Sequence, residues 1–284
     1  MKKIVWLLMM VVMPMLANAA FSRNADLEDE DELLHRLDRY IARRDEFSSK
    51  KEKKLIRMKK KLNLTSDKRE RLSLYNQIYR EYYTYRYDSA MVYANRGLQL
   101  AEQLHNDYFI NLNKINRAAV LSTGGFYSQA EDLLLSLKSE DISPKLMQYY
   151  YYTLTWVYNY WEAFCERSEF KEEMQDKKRL YLAKTLEYVG NKHSALYYYL
   201  SGELEYLLHR TDKKVLGWYQ KALAASPIDS RVHASAAYCI ARYYQDNGQM
   251  DIYEKYLVKA AISDQICPLK ENLALQELST YLYN

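Results

Sequence analysis

Glycine and proline are scarce in this chain, 7 and 4 among 284 residues. Sheet proteins need turn residues often, whereas helices joined by short loops do not. The shortage therefore argues against an all-β fold. Cysteine is scarcer: Cys165, Cys239 and Cys267 stand alone, and none forms a C-x-x-C pair. That gives little support to redox chemistry or a zinc site; an odd count leaves at least one thiol over or paired between molecules, and the three read as small buried apolar groups. His35, His105, His193, His209 and His233 include no H-E-x-x-H pair. There is no G-x-S-x-G nucleophile turn, and Gly124-Gly125 lacks the lysine of a phosphate loop. The expectation is a protein that is not an enzyme, with no metal site and no cofactor. Charge of one sign is also missing: Lys and Arg number 41 against 37 Asp and Glu, a formal net charge of +4. That excess is too small to imply nucleic acid as a partner.

What is present begins with a leader. Lys2 and Lys3 precede an apolar run from Ile4 to Leu16, and Ala17-Asn18-Ala19 places small residues where a signal peptidase reads. Residues 1–19 are expected to be a cleaved secretory signal. The run is shorter than the ~20 residues that span a bilayer. No later stretch is apolar enough to cross one, so no transmembrane helix is expected after cleavage. The expected location is the periplasm.

The mature chain opens on acidic residues, Asp26 to Glu32, which suit the positive end of a helix. Leu33, Leu34, Leu37, Tyr40 and Ile41 follow at helical spacing. A lysine-rich helix with Leu55, Ile56, Met58 and Leu62 comes next, its lysines reading as a solvated face. Residues 20–66 are thus expected to form an N-terminal helical cap.

From residue 67 to 284 a spaced pattern recurs. Ala237-x-x-Ile240-Ala241-x-x-Tyr244 is followed by Gly248, then Tyr253-x-x-x-Leu257, Ala260 and Pro268. Small residues sit where two helices approach closely, and Tyr, Leu and Ile fill the space between them. This is the spacing of the tetratricopeptide helix pair. Five such pairs are expected, with longer loops than the ~34-residue period allows and an insertion near 164–178. Glu271 to Tyr283 reads as the first helix of a sixth, incomplete pair. The predicted fold class is all-α: a solenoid of degenerate tetratricopeptide-like pairs, an architecture whose usual job is to present a surface.

Tyrosine is abundant, 30 of 284. In the third pair two registers separate. Tyr151, Leu154, Thr155 and Tyr158 repeat the spacing of the residues that pack inside a pair. Tyr149, Tyr152, Trp156 and Tyr160 lie on another face, again at steps of three and four. In stacked pairs that face lines the concave groove, so these four are expected to form an aromatic platform. Tyr238 and Arg242 fall on the same face of the fifth pair. These six are the candidate binding residues. The ligand class stays open between a protein or peptide partner and a glycan, the latter as a component of a polysaccharide uptake system. Against the glycan reading, such components are typically lipid-anchored, and no cysteine follows Ala19.

The chain resembles exported tetratricopeptide-like proteins of unknown function found mostly in Bacteroidota. The resemblance rests on Lys51-Glu52-Lys53-Lys54-Leu55-Ile56, on Tyr87-Asp88-Ser89-Ala90-Met91-x-Tyr93-Ala94, and on Lys270-Glu271-Asn272-x-Ala274-Leu275-x-Glu277-Leu278. Longer members look like sensors that continue into a membrane helix and a helix-turn-helix output domain. This sequence stops before those segments. The resemblance thus implies a sensor-like binding module without its own output.

Overall fold

The computed structural model describes residues 29–267 and 272–283, apart from the side chains of 139 and 168. The expected signal at 1–19 lies outside the described residues. Thirteen α-helices and one short 3-10 turn make up the described fold. They are α1 (Glu30–Ala42), α2 (Arg44–Leu64), α3 (Lys68–Tyr83), α4 (Tyr87–Gln103), α5 (Asp107–Thr123), α6 (Tyr127–Leu135), α7 (Pro144–Phe164), α8 (Ser168–Tyr188), α9 (Ala195–His209), α10 (Lys213–Ala225), α11 (Arg231–Asp246), α12 (Met250–Ile266) and α13 (Leu273–Tyr283).

The pairs are α3/α4, α5/α6, α7/α8, α9/α10 and α11/α12, each helix packed on its partner and each pair on the next. Local signals account for the boundaries. Asp67 accepts from Arg69 N at the start of α3, Pro144 opens α7, and Ser230 accepts from His233 N at the start of α11. Within pairs the expected small residues are fully buried: Ala118, Ala237, Ala241 and Ala260 have no accessible surface. Gly202 shows why small residues are needed, because a Cβ there would sit 2.6 Å from the ring of Tyr219.

The stretch at 164–178, expected as an insertion, is taken up mostly in helix: α8 runs unbroken from Ser168 to Tyr188. Most of its charged residues face outward, while Met174, Lys178 and Leu182 are buried at four-residue steps, the lysine paired with Glu162 of α7 at 3.5 Å. The stretch reads as polar because the apolar stripe there is only one residue wide per turn.

The N-terminal helices do more than cover the first pair. Helix α2 packs on α3, with Leu55 and Leu62 in the core of the first repeat. It also touches α12, and α1 packs along α12. Leu33 and Leu37 of α1 are buried in the same core as Leu257, Ala260, Ala274 and Leu278. The N-terminal helices thus meet the last pair, and the array closes on itself. Helix α12 is covered by α11, α13, α1 and α2. That explains why its residues from Tyr256 to Val258 and from Ala260 to Gln265 are buried on every side.

Candidate functional site: a cavity where the ends of the array meet

Closing the array turns the concave faces of the first helices toward one another. The start of that inner surface is a polar ladder. Asn116 of α5 donates from Nδ2 to Asn76 Oδ1 of α3 at 3.0 Å. Tyr149 of α7 donates to Asn116 Oδ1 at 3.0 Å, and its hydroxyl lies 3.3 Å from that of Tyr79. Tyr79 in turn donates to the Asn116 carbonyl. Burial holds the Tyr149 phenol up to about 12. Tyr149 is on the expected face, but its hydroxyl is committed to holding three repeats in register.

The platform continues inward. Tyr152 and Trp156 stand edge to face, 6.0 Å between centroids, and Trp156 and Tyr160 follow at 5.8 Å. All three are half-buried, whereas Leu154 and Tyr158 on the other register are 0% and 1% exposed. The rings of Tyr152 and Trp156 rest against the core shared by the last repeats and α1, so this is not an open stacking surface. The Trp156 N–H is buried and meets no acceptor in hydrogen-bonding geometry; the nearby Tyr152 hydroxyl feels it without aligning to it.

Beyond Tyr160 the inner surface opens into a cavity of about 160 Å³. Its wall is drawn from both ends of the array. Tyr83 and Tyr87 come from the first repeat, Tyr160 from α7, Arg231 and Tyr238 from α11, and Asp264 from α12. Ala234, Ser235 and Ala274 leave the space unfilled.

Arg231 is the dominant charge. It is part-buried by area yet deep in the protein, because the surface it retains is cavity wall. The Tyr83, Tyr152 and Tyr160 phenols surround it. Among the described residues its guanidinium makes one hydrogen bond, a long 3.5 Å contact from Nη2 to the Tyr160 hydroxyl. No carboxylate oxygen among those residues comes within 4.0 Å of its nitrogens. Asp264 faces the same cavity and is buried, with no hydrogen-bond partner among the described residues. Burial raises its carboxyl to about 7, a rise that the positive charge of Arg231 partly offsets.

The segment that presents Arg231 is tied down. Ser263 donates to the Ile228 carbonyl at 2.7 Å and accepts from His233 Nδ1 at 2.8 Å. Ser230 caps α11 while its hydroxyl bonds Pro227 O. Although Ser263 and His233 touch, they do not make a nucleophile and base. The serine is fully buried and its proton is directed to a backbone carbonyl.

Of the six expected residues, Tyr160 and Tyr238 line the cavity. Tyr238 also donates to Glu277 of α13 at 2.6 Å, which ties α11 to the last helix. Tyr152 and Trp156 lie behind the wall and Tyr149 serves the ladder. Arg242 is exposed over the Tyr206 ring and does not reach the cavity; it sits three turns beyond Arg231 on α11, beside the Arg210–Asp246 pair. Arg231 and Asp264 were missed. Arg231 precedes the periodic part of its helix, so no spacing marks it. Asp264 did leave a signal: it is a carboxylate inside Ala260-Ala261-Ile262-Ser263-Asp264, a stretch with no polar face to hold it.

Comparisons with known proteins agree with this architecture. A family model described as the SusR N-terminal TPR domain matches residues 41–284. Among solved structures, a thermophilic TPR protein from Thermus thermophilus superposes with a TM-score of 0.54 at 18% identity, covering 77% of this chain and 100% of that one. At that identity the likeness speaks for the fold alone. No curated protein matches the chain.

Proposed function

The chain belongs to the SusR N-terminal TPR domain family, and from that premise we propose that it is a non-catalytic, sensor-like binding module of the periplasm whose ligand sits in the central cavity. TPR-type repeats generally bind proteins or act as scaffolds. In this reading the outer faces of the helices serve a protein partner, and the cavity serves the ligand that sets what the partner meets.

The observation that carries the reading is where the cavity lies. Its wall joins Tyr83 and Tyr87 of the first repeat to Arg231, Asp264 and Ala274 of the last. A ligand touching both sides binds the closed array better than any opened form. A ligand changes an equilibrium only through such differential contact. Occupancy would therefore stabilise closure, by about 2.7 kcal/mol at a concentration of 100 Kd. The cavity is too small for a folded domain or an extended peptide, but not for a small molecule or a chain end.

The test is thermal denaturation of the mature protein against a panel of sugars, small acids, amino acids and short peptides. It is repeated with Ser235→Trp, which fills the cavity from its wall. Stabilisation by some member of the panel, lost in Ser235→Trp, is the expected result. A ligand that stabilises both proteins equally would place binding elsewhere and sink the reading.

A further inference from the structure

We propose that the cavity is a carboxylate site: Arg231 takes the carboxylate of a small ligand, and Asp264 accepts a hydrogen bond from an amine or hydroxyl elsewhere on it. The inference rests on the reading of the cavity as a ligand seat and names what the seat recognises.

Among the described residues Arg231 has one long hydrogen bond and no carboxylate oxygen within 4.0 Å. A buried cation held so loosely is costly, and proteins normally pair such groups. Arg231 has five N–H donors, and the contact to the Tyr160 hydroxyl at 3.5 Å occupies one weakly. Burial holds the Tyr83 and Tyr152 phenols in their neutral form, so they surround the guanidinium without neutralising it. Arg231 is also the first residue of α11, where the helix dipole adds positive potential rather than removing it. The fork of a guanidinium matches a planar carboxylate with two parallel bonds.

Asp264 limits the charge of the ligand. Asp264 shares the cavity, and it too has no partner among the described residues. A second negative charge on the ligand would face this carboxyl, which disfavours a phosphate dianion or a dicarboxylate. A donor facing it would be favoured. The natural match is a monocarboxylate with an amine or hydroxyl near the acid, as in an α-amino acid or a 2-hydroxy acid.

The size of the cavity sets the size of the ligand. About 160 Å³ is close to the ~150 Å³ of cavities that hold a single six-membered ring. A free acid of that size fits whole. The same chemistry is offered by the C-terminus of a peptide whose remainder leaves through the opening. Both sources present one carboxylate to Arg231.

Isothermal titration of the mature chain decides the matter. The probes are the free amino acids, small 2-hydroxy acids and alanine dipeptides, each beside its carboxamide, with glucose as a neutral control. At least one acid should bind, with its carboxamide weaker by at least about tenfold. Arg231→Gln should weaken that acid by a similar factor. Arg231→Lys, which keeps the charge and loses the fork, should lie between the two and guards against a folding defect in the glutamine variant. Ser235→Trp should abolish binding. Free acids binding where dipeptides do not would identify the source as a small metabolite, and the reverse as a chain end; either supports the carboxylate. If carboxamides bind as well as acids, or glucose binds and the acids do not, with Ser235→Trp still blocking, the seat stands and the carboxylate proposal falls. If no acid in the panel binds, the carboxylate proposal falls as well. Binding that Ser235→Trp leaves intact overturns both.

Discussion

Tyr160 and Arg231 meet across the centre of the molecule, hydroxyl to Nη2 at 3.5 Å, although 71 residues separate them in the chain. No local pattern requires that meeting. It follows from the curvature of the stacked pairs and from α1 and α2 docking on α12. The contact belongs to packing, and it sets Arg231 in the wall of the cavity beside Asp264.

The two registers of α7 predict different costs. Tyr158 is 1% exposed, stacks on Tyr181 at 5.5 Å and donates to Glu131. Tyr158→Ala should cost about 3–5 kcal/mol. Trp156 is half-buried with an unpaired N–H, so its removal also relieves an unsatisfied donor. Trp156→Ala should cost no more than about half as much. Denaturant melts of the two variants measure this, and equal large losses would make Trp156 a core residue like Tyr158.

Asp264 gives the fold a pH dependence. A carboxyl that holds its proton more tightly in the folded state makes the fold most stable in acid. That contribution falls as pH climbs from the ordinary carboxylate range to about 7, and then levels. Asp264→Asn mimics the protonated form at every pH. The variant should match the parent at pH 4 and exceed it at pH 8 by on the order of 2 kcal/mol. Melting curves across that range check the sign. A variant less stable than the parent at pH 8 would mean that the ionised carboxylate is well compensated.

The pairing of helices was legible in the sequence because each pair carries its own evidence. Ala237, Ile240, Ala241 and Tyr244 are all buried, as their spacing requires. The aromatic face of α7 was legible for the same reason. Closure was not. Leu33 and Leu37 announce an amphipathic helix, but an apolar stripe does not say which of many stripes it will cover. The N-terminal cap was legible as a pair of helices, but not that α1 would pack along α12. Nor was the continuity of α8, where a narrow stripe through Met174 was hidden among charges. The cavity inherits the first of these limits. Tyr160 and Tyr238 could be found from helix periodicity, while Arg231 and Asp264 acquire their meaning only once both ends of the array are in place.

Closure can be tested through Leu33. Its side chain is fully buried in the core that holds α12 and α13. Leu33→Ala should cost about 2–5 kcal/mol. It should also speed hydrogen exchange in Met250–Ile266 while leaving Asp107–Thr123 close to the parent, since openings follow cooperative units. Exchange that rises in the first repeat instead would show that α1 acts only on its neighbours in sequence.

Export gives a simple chemical readout. The mature protein isolated from its native cell should begin at or near Ala20 and partition with the periplasmic fraction. An intact mass that retains Met1 through Leu16 would replace the cleaved form with an anchored one.

The central claim is that the closed array seats a small ligand between Arg231 and Asp264. Native mass spectrometry of the protein purified from its native cell tests it most directly, with Ser235→Trp as the control. The account predicts a small-molecule adduct on the parent chain that is absent from Ser235→Trp. A parent chain that is bare, or an adduct of the same mass and occupancy on both proteins, would contradict it.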